Sequence, residues 1–282
     1  MKQTSETLLI TLVQSNLIWE NKSANLEMFS KKISALNDRM EVLVLPEMFN
    51  TGFSMNVVEM AESMEGPTVH WMKKTAAEKK VVLTGSLIVK DGEKYFNRLL
   101  WVLPNGTLGV YDKRHLFAYG GEDEPFAPGN KRLIASVKGW RINLLICYDL
   151  RFPVWSRQSV PLRPLGDGTF VKADNVNSQP EYDVLVYVAN WPERRVHAWK
   201  TLLQARAIEN QCYVIGVNRT GQDGKGLNYS GDSMVVDPMG EIIQTASNEE
   251  AIFTCALSLE KLTSVRQKLP FLKDADPFIV GS

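Results

Sequence analysis

The sequence predicts an α/β protein in which a mixed β-sheet is covered by helices on both faces. Short and almost continuously apolar runs, such as residues 42–45 and 184–189, are typical of strands buried on both sides. These runs alternate with amphipathic segments of helical spacing, which is the order expected for parallel strands joined by helices. Two hairpin signals interrupt the alternation, so antiparallel strands are also predicted and the sheet is expected to be mixed.

The first half of the chain contains two predicted helices. The earlier helix is predicted to begin at Ser23, because apolar residues then recur at spacings of three and four along one helix face. Those residues are Leu26, Phe29, Ile33 and Leu36. The later helix is predicted to open at Gly66-Pro67, since proline is favoured in the first helical turn. Strands are predicted around these helices at residues 8–13, 42–45 and 81–89.

The rest of the chain continues the same alternation. The turn Pro104-Asn105-Gly106 is predicted to close a hairpin between strands 99–103 and 108–111. A second hairpin is predicted to join 233–236 to 241–243. Further strands are predicted at 142–146, 184–189, 212–217 and 252–257, and a long helix is predicted to carry Val196, Trp199, Leu203 and Ala207 on one face.

No linker divides the chain, so residues 1–282 are predicted to form one domain. Residues 158–180 are rich in Pro, Gly, Asn and Asp and have no periodicity, which predicts a surface loop insertion. Residues 261–282 are predicted to form a C-terminal tail that its phenylalanines anchor to a surface.

The composition excludes several classes of protein. The 282 residues include 32 basic and 32 acidic side chains, and this balance argues against a general nucleic-acid binder. No apolar run approaches the roughly 18 residues of a membrane span, and the polar N-terminus does not resemble a secretory signal. The three widely spaced cysteines, Cys147, Cys212 and Cys255, do not form a disulfide framework, so we expect a reducing cytoplasm.

Chemically capable side chains follow the ends of the predicted strands. Glu47, Lys113 and Cys147 each come directly after an apolar run or within three residues of one. Taken singly, such residues are usually a solvated charge, a surface amine and a small buried side chain. Together they supply a base, a cation and a thiol, which are the groups needed to attack an acyl carbon and stabilise the resulting oxyanion.

Other cysteine chemistries fit the sequence less well. A Cys-His protease needs a histidine partner, but none of the histidines directly follows an apolar strand. They are His70, His115 and His197. A thiol phosphatase needs a phosphate-binding loop, and Arg151 follows Cys147 too closely for one. Clustered metal ligands and a nucleotide-binding glycine motif are also absent from the sequence.

Three sequence blocks resemble the signatures of the nitrilase superfamily of carbon–nitrogen hydrolases and occur in its order. They are Leu-Val-Leu-Pro-Glu-Met-Phe at 43–49, Tyr-Asp-Lys-Arg-His-Leu-Phe at 111–117 and Leu-Ile-Cys-Tyr-Asp-Leu-Arg-Phe-Pro at 145–153. Within the superfamily, the chain is most similar to the omega-amidase branch, which Ala-Asn-Trp-Pro at 189–192 also resembles. The resemblance implies a four-layer α-β-β-α sandwich with mixed sheets.

The resemblance also implies a catalytic triad of Glu47, Lys113 and Cys147. Many members of the family use a second glutamate between the lysine and the cysteine. Glu122 is the first choice for it, because it stands at the expected distance before Pro128-Gly129. Glu124 is the second choice, and Asp123 is the least favoured of the three acidic residues.

The implied reaction is hydrolysis of a primary amide through a cysteine thioester. Cys147 attacks the carbonyl carbon, and Glu47 moves protons first to the leaving ammonia and then from water. Lys113 and the backbone N–H of Tyr148 stabilise the oxyanion, while Glu122 orients Lys113 or the amide nitrogen. This chemistry requires neither a metal ion nor an organic cofactor.

The omega-amidase resemblance implies a small substrate that carries a carboxylate, such as alpha-ketoglutaramate or alpha-ketosuccinamate. Candidate cations for that carboxylate are Arg151, Arg194 and Arg195. A salt bridge that holds the turn after Cys147 is the preferred interpretation of Arg151, and solvated or paired charges are the preferred interpretation of Arg194 and Arg195. Phe117 and Trp191 are candidate walls of the pocket, although Trp191 is equally expected to pack beside Pro192.

Two alternatives to an omega-amidase remain open. One is another hydrolase with the same triad, such as a different amidase, an N-carbamoyl hydrolase or a nitrilase. The other is a catalytically idle scaffold that binds a partner, against which the intact set of Glu47, Lys113 and Cys147 argues. The resemblance further implies a homodimer or larger assembly, and neither a nucleic acid nor a membrane is expected as a partner.

Overall fold

The computed structural model describes residues 4–158, 162–164, 170–172, 180–276 and 278. The strands within these residues are β1 (Thr7–Gln14), β2 (Val42–Val44), β3 (Val82–Asp91), β4 (Lys94–Val102), β5 (Leu108–Asp112), β6 (Leu133–Val137), β7 (Trp140–Ile146), β8 (Leu162–Pro164), β9 (Phe170–Lys172), β10 (Val184–Val188), β11 (Tyr213–Val217), β12 (Thr220–Gln222), β13 (Asn228–Val236), β14 (Ile242–Ser247) and β15 (Ala251–Ser258). The α-helices are α1 (Lys22–Ser34), α2 (Val57–Met60), α3 (Pro67–Lys79), α4 (Pro153–Ser156), α5 (Val196–Asn210) and α6 (Leu259–Lys268).

Two large mixed sheets dominate the described part of the chain. The first sheet has the strand order β15-β1-β2-β3-β4-β5, in which β1, β2 and β3 are parallel and the outer strands pair antiparallel. The second has the order β12-β13-β11-β10-β7-β6, with β14 paired to β13 and with β7, β10 and β11 parallel. Among the described residues, the short strands β8 and β9 pair with each other and form a separate two-stranded sheet.

The sheets pack face to face between two helical layers. Alternation along β2 places Val42 and Val44 in the core that contains the second sheet, whereas Leu43 packs on the opposite side with Phe29 of α1 and Val69 of α3. The apolar runs predicted a single sheet covered by helices on both faces. Each sheet is instead covered by helices on one face and by the other sheet on its second face, which is the four-layer arrangement that the family resemblance implied.

A glycine lets helix α5 lie directly on the second sheet. A Cβ atom at Gly216 of β11 would lie 2.5 Å from Leu203 Cδ1 and 2.7 Å from Trp199 Cζ2. Contacts this short do not occur between real side chains, so this close packing of α5 on β11 requires glycine at the position. Leu203 and Trp199 are two of the residues that the sequence predicted on the buried face of this helix.

Most predicted elements agree with the structure to within two residues at each end. The exceptions are β4 and β13, which each begin five residues before the predicted strand, and β14, which ends four residues after it. Helix α1 begins at Lys22, one residue before the predicted start at Ser23. The Asn21 side chain caps the helix by accepting a hydrogen bond from the backbone N–H of Ala24 at 3.1 Å. Serine and asparagine are both good N-caps, and the sequence offers both of them here.

The predicted insertion at 158–180 falls largely outside the described residues, which include only its ends and the paired strands β8 and β9. Its first residue, Gln158, belongs to the packed body of the protein, since it is buried and donates from Nε2 to the carbonyl of Tyr182 at 3.0 Å. The predicted tail begins inside helix α6, where Arg266 forms an ion pair with Asp183 at 2.8 Å. Of the helices that the structure describes, none is long and apolar enough to cross a membrane.

Candidate active site

A small cavity of about 270 Å³ opens where strands of both sheets end. Glu47 follows β2 and Lys113 follows β5 in the first sheet, whereas Cys147 follows β7 and Asn190 follows β10 in the second. The carboxyl ends of strands are where open sheets place their functional side chains. The facing of the two sheets therefore brings together groups that are more than 140 residues apart in sequence.

A buried ammonium and two carboxylates form the floor of the site. Lys113 Nζ lies 2.8 Å from Glu47 Oε1 and 2.8 Å from Glu122 Oε2. Asn97 Nδ2 donates to Oε1 of both glutamates, at 2.8 Å for Glu47 and 3.0 Å for Glu122. All four side chains are almost completely shielded from solvent, so each charge is held by direct pairing rather than by water.

Backbone N–H groups add a further hydrogen bond to each carboxylate. The backbone N–H of Asn190 donates to Glu47 Oε2 at 2.8 Å, and the Asn190 side chain donates to the Glu47 carbonyl at 2.6 Å. The backbone N–H of Phe117 donates to Glu122 Oε2 at 2.7 Å. Each carboxylate is thereby locked in one orientation, which is the preorganisation that acid–base chemistry needs.

Cys147 occupies a strained turn between β7 and a short 3₁₀ helix. Its φ of +41° lies in the left-handed region, which costs a residue with a side chain about 1 kcal/mol or more. Asp149 holds this turn by accepting the backbone N–H of Ile146 at 3.0 Å and that of His115 at 3.0 Å. The thiol therefore lines the cavity with only 9% of the residue exposed, and its Sγ lies 4.0 Å from the Asn190 carbonyl.

Aromatic rings and cations form the walls. The predicted binding residues Phe117, Tyr148, Arg151 and Trp191 all line the cavity. The rings of Phe117 and Tyr148 meet at 5.0 Å between centroids, and the Arg151 guanidinium lies 4.9 Å from the centre of the Trp191 ring. Among the described residues, Arg151 forms no ion pair, so the salt bridge preferred for it in the sequence interpretation is not found there, and its guanidinium lies over an aromatic face instead.

A comparison with known protein families decides the identity of this fold and site. The chain matches the family model named carbon-nitrogen hydrolase over residues 9–161 and 167–267. The chain belongs to the carbon-nitrogen hydrolase family. The superfamily that the three sequence blocks resembled is confirmed, and so is hydrolysis of carbon–nitrogen bonds as the class of activity.

Individual relatives cover nearly all of this carbon-nitrogen hydrolase. It is 43% identical over 272 residues to "Omega-amidase YafV" of Escherichia coli strain K12, covering 96% of this chain and 98% of that protein. It is 31% identical over 268 residues to a "2-oxoglutaramate amidase" of Bacillus subtilis, covering 94% of this chain and 96% of that protein. The crystal structure of XC1258 from Xanthomonas campestris superposes on it with a TM-score of 0.91 at 40% identity, covering 98% of this chain and 100% of that chain. XC1258 is described as a CN-hydrolase superfamily protein with an arsenic adduct in its active site. The four-layer fold is thereby confirmed.

The electrostatics of the hydrolase site keep the thiol neutral and the lysine charged. Burial raises the pKa of the Cys147 thiol well above its ordinary value, and the neighbouring Glu47 raises it further against the opposing effect of Lys113. Burial alone would lower the pKa of Lys113, but the carboxylates of Glu122 and Glu47 outweigh it and raise that pKa. The site can therefore couple sulfur attack to proton transfer beside a permanent cation.

The three acidic residues that follow Phe117 differ in burial. Burial raises the pKa of Glu122, and the charge of Lys113 partly offsets this rise. Of the three acidic residues, Glu122 is the one whose side chain reaches the floor of the site. Asp123 and Glu124 are both exposed. The structure therefore places Glu122, the first choice, against Lys113 and leaves Glu124, the second choice, in solvent.

Sequence reasoning missed Asn97 completely. This residue lies in the middle of β4, and its backbone carbonyl accepts the N–H of Lys113 at 3.0 Å. A lone asparagine inside a strand carries no local signal, because its partners come from two other segments of the chain. Asn190 is easier to recognise from the sequence as a candidate site residue, because it directly follows an apolar run.

The structure also resolves the interpretation of the two arginines before α5. Arg194 is exposed, as expected, but Arg195 is half-buried and its guanidinium lies 5.1 Å from the centre of the Phe117 ring. Neither arginine is ion-paired with a described residue. In the part of the chain that the structure describes, no group of three or more His, Cys, Asp or Glu side chains is arranged to hold a metal ion.

Proposed function

We propose that this carbon-nitrogen hydrolase is an omega-amidase that releases ammonia from small 2-oxo dicarboxylic acid monoamides, such as alpha-ketoglutaramate and alpha-ketosuccinamate. The observation that carries the proposal is the buried pairing of Lys113 with Glu47 and Glu122 beside the Cys147 thiol. The names of its relatives, omega-amidase and 2-oxoglutaramate amidase, support the choice of substrate.

The first step is attack by the sulfur of Cys147 on the amide carbon. The raised pKa of this thiol means that a free thiolate is not the resting form at neutral pH. Glu47, whose carboxylate is among the groups that raise this pKa, takes the proton as the carbon–sulfur bond forms. The carbonyl π electrons move onto oxygen, and the oxyanion is stabilised by Lys113 and by the backbone N–H of Tyr148.

The second step breaks the carbon–nitrogen bond. Glu47 returns its proton to the departing nitrogen, ammonia leaves, and the acyl group remains on Cys147 as a thioester. Water then enters, Glu47 takes a proton from it, and attack on the thioester forms a second tetrahedral intermediate. The collapse of this intermediate releases the acid and returns the proton to sulfur, so that Glu47 ends in its starting state. Glu122 holds Lys113 in place throughout.

The size and walls of the cavity support a small substrate. Its volume of about 270 Å³ is at or below the lower end of typical ligand pockets, which is about 300 Å³. Phe117, Tyr148 and Trp191 provide apolar surface for a short carbon chain. Arg151 contributes positive charge on the same cavity wall, which suits a substrate that carries a carboxylate.

The test is ammonia release from alpha-ketoglutaramate by the purified protein. We expect rapid release, and we expect Cys147→Ala to abolish it while its thermal unfolding remains cooperative. Cys212→Ala is the matched control, because this second buried cysteine lies outside the cavity lining. No release from folded wild-type protein would contradict the substrate, whereas full activity of Cys147→Ala would contradict the nucleophile.

We further propose that the enzyme is a cytoplasmic homodimer or larger assembly. Three free, buried cysteines suit a reducing compartment. An exposed apolar cluster supports self-association: Ile208 of α5 packs at the turn of Gly240, beside the exposed Met239, Ile242 and Ile243. Sedimentation of the wild type and of Ile208→Glu tests this proposal. A monomer at micromolar concentration would contradict it.

A further inference from the structure

The cavity carries more positive charge than its acidic residues balance. Besides Lys113, whose charge is matched by Glu47 and Glu122, four cationic side chains line it. They are Arg151, Arg194, Arg195 and Lys225. Within the described residues, none of these four side chains forms an ion pair. The cavity therefore presents a positive field to a ligand.

The acidic residue on the cavity rim does not neutralise these cations. Asp223 Oδ1 accepts the backbone N–H groups of Lys225 at 2.8 Å and Leu227 at 2.9 Å. Its Oδ2 accepts the phenol of Tyr229 at 2.9 Å. This carboxylate is thus engaged in holding its own loop and the tyrosine wall.

Arg195 differs from the other three cations in its surroundings. Arg151, Arg194 and Lys225 are exposed, whereas Arg195 is half-buried with its guanidinium over the face of Phe117. Its backbone carbonyl accepts the indole N–H of Trp191 at 2.8 Å, which fixes its position relative to another lining residue of the cavity. A charge that is partly withdrawn from water attracts an anion more strongly than an exposed one.

The electrostatic setting of Arg195 is unfavourable while no anion is present. Burial, followed by the nearby charges of Arg194 and Arg151, lowers the pKa of Arg195. Arg195 and Cys147 line the same cavity, so a short molecule can contact both of them. An anionic group bound beside Arg195 would relieve the repulsion and still leave the rest of a short molecule near Cys147.

We propose that Arg195 is the specificity-determining residue that binds the carboxylate of the substrate and so selects monoamides of dicarboxylic acids over neutral amides. This inference rests on the proposed amidase activity. The guanidinium lies over the ring of Phe117, and a planar guanidinium can donate two parallel hydrogen bonds to a carboxylate. Arg151, over Trp191, adds to the field without being withdrawn from solvent.

The kinetic test compares two amides that differ only in the group at the far end. Glutaramate ends in a carboxylate, and pentanamide ends in a methyl group at the same position. For the wild type, we expect a large ratio of kcat/KM for glutaramate over pentanamide. Arg195→Gln is expected to lower this ratio by at least about 30-fold, mainly through KM, because truncating one partner of a buried charge pair is costly. For Arg195→Lys, we expect a ratio between that of the wild type and that of Arg195→Gln.

Control variants separate a local effect from a general one. Arg39→Gln removes an exposed arginine before β2, at the end of that strand opposite to Glu47, and should leave the ratio unchanged. Arg194→Gln removes the adjacent exposed charge and should lower the ratio less than Arg195→Gln does. An unchanged ratio in Arg195→Gln, or a larger loss in Arg194→Gln or Arg151→Gln, would overturn the proposal.

A binding measurement tests the same residue without catalysis. In the Cys147→Ala background, 2-oxoglutarate should bind by calorimetry, and adding Arg195→Gln should raise its Kd by at least about 30-fold. Failure of 2-oxoglutarate to bind, or equal Kd values in the two proteins, would overturn the role of Arg195. Absence of ammonia release together with Arg195-dependent binding would instead contradict only the proposed amidase substrate.

Discussion

The phenol of Tyr111 donates a hydrogen bond of 2.7 Å to the carboxylate of Asp149, which lies in the short 3₁₀ helix that follows β7 of the second sheet. Tyr111 lies in β5, two residues before Lys113, and Asp149 lies two residues after Cys147. The bond therefore joins the segment that carries the ammonium to the turn that carries the thiol. Burial and the adjacent Asp149 raise the pKa of Tyr111, so the phenol remains a donor at neutral pH.

Tyr111→Phe should destabilise the protein by about 1–3 kcal/mol, because Asp149 loses a buried donor and the Trp155 indole loses its acceptor at 2.9 Å. Urea unfolding measures the loss, and kcat should fall as the two segments loosen. Tyr95→Phe is the matched control, since its phenol has no hydrogen-bond partner among the described residues. Equal stability of Tyr111→Phe and the wild type would show that the bond does not hold the sheets together.

Lys113→Met should reduce both activity and stability. The loss of an oxyanion donor predicts a fall in kcat/KM equivalent to at least about 3 kcal/mol. Removal of the cation also leaves Glu47 and Glu122 buried without a counter-charge, which should cost about 3–5 kcal/mol of unfolding free energy. Adding Glu122→Gln should recover part of the stability but none of the activity. Recovery of activity in that double variant would contradict the oxyanion role.

Asn97→Ala should lower kcat/KM by roughly tenfold, the effect of one good hydrogen bond. Asn97 is the shared donor to Glu47 and Glu122, and its bond to Glu122 partly offsets the effect of burial, which raises the pKa of that carboxyl. The variant should therefore raise this pKa further and shift the acidic limb of the kcat/KM profile to higher pH. Asn105→Ala, in the exposed turn before β5, serves as the control. An unshifted profile would limit Asn97 to a structural role.

Glu41→Gln should destabilise the protein at neutral pH but not at acidic pH. Burial opposes ionisation of this carboxylate, yet its hydrogen bonds to Lys138 and to the Leu9 N–H lower its pKa below 4.5. A lowered pKa contributes stability above the unfolded pKa, and this contribution disappears as pH falls through the folded pKa. Thermal unfolding of both proteins from pH 7 to pH 3 should converge at the acid end. A constant difference across that range would contradict the linkage.

Local sequence patterns predicted most of the strands and helices. Periodicity and turn residues act over a few neighbouring positions, so the apolar run at 42–45 and the Pro104-Asn105-Gly106 turn were informative without knowledge of the rest of the chain. The start of α1 shows the limit of such reasoning. Asn21 and Ser23 are both competent caps, and the side-chain bond to Ala24 decides between them.

The sequence by itself determined the class of fold, the order of elements and the positions of Glu47, Lys113 and Cys147 at strand ends, because these features depend on hydrophobic spacing and contiguous motifs. Only the tertiary structure decided that two sheets face each other, that Asn97 joins both carboxylates, and that Arg195 lies against Phe117. The physical reason is that burial and hydrogen-bond partners arise between segments far apart in the chain. The sequence of a strand indicates that a side chain will be buried, but it does not indicate which residues that side chain will contact.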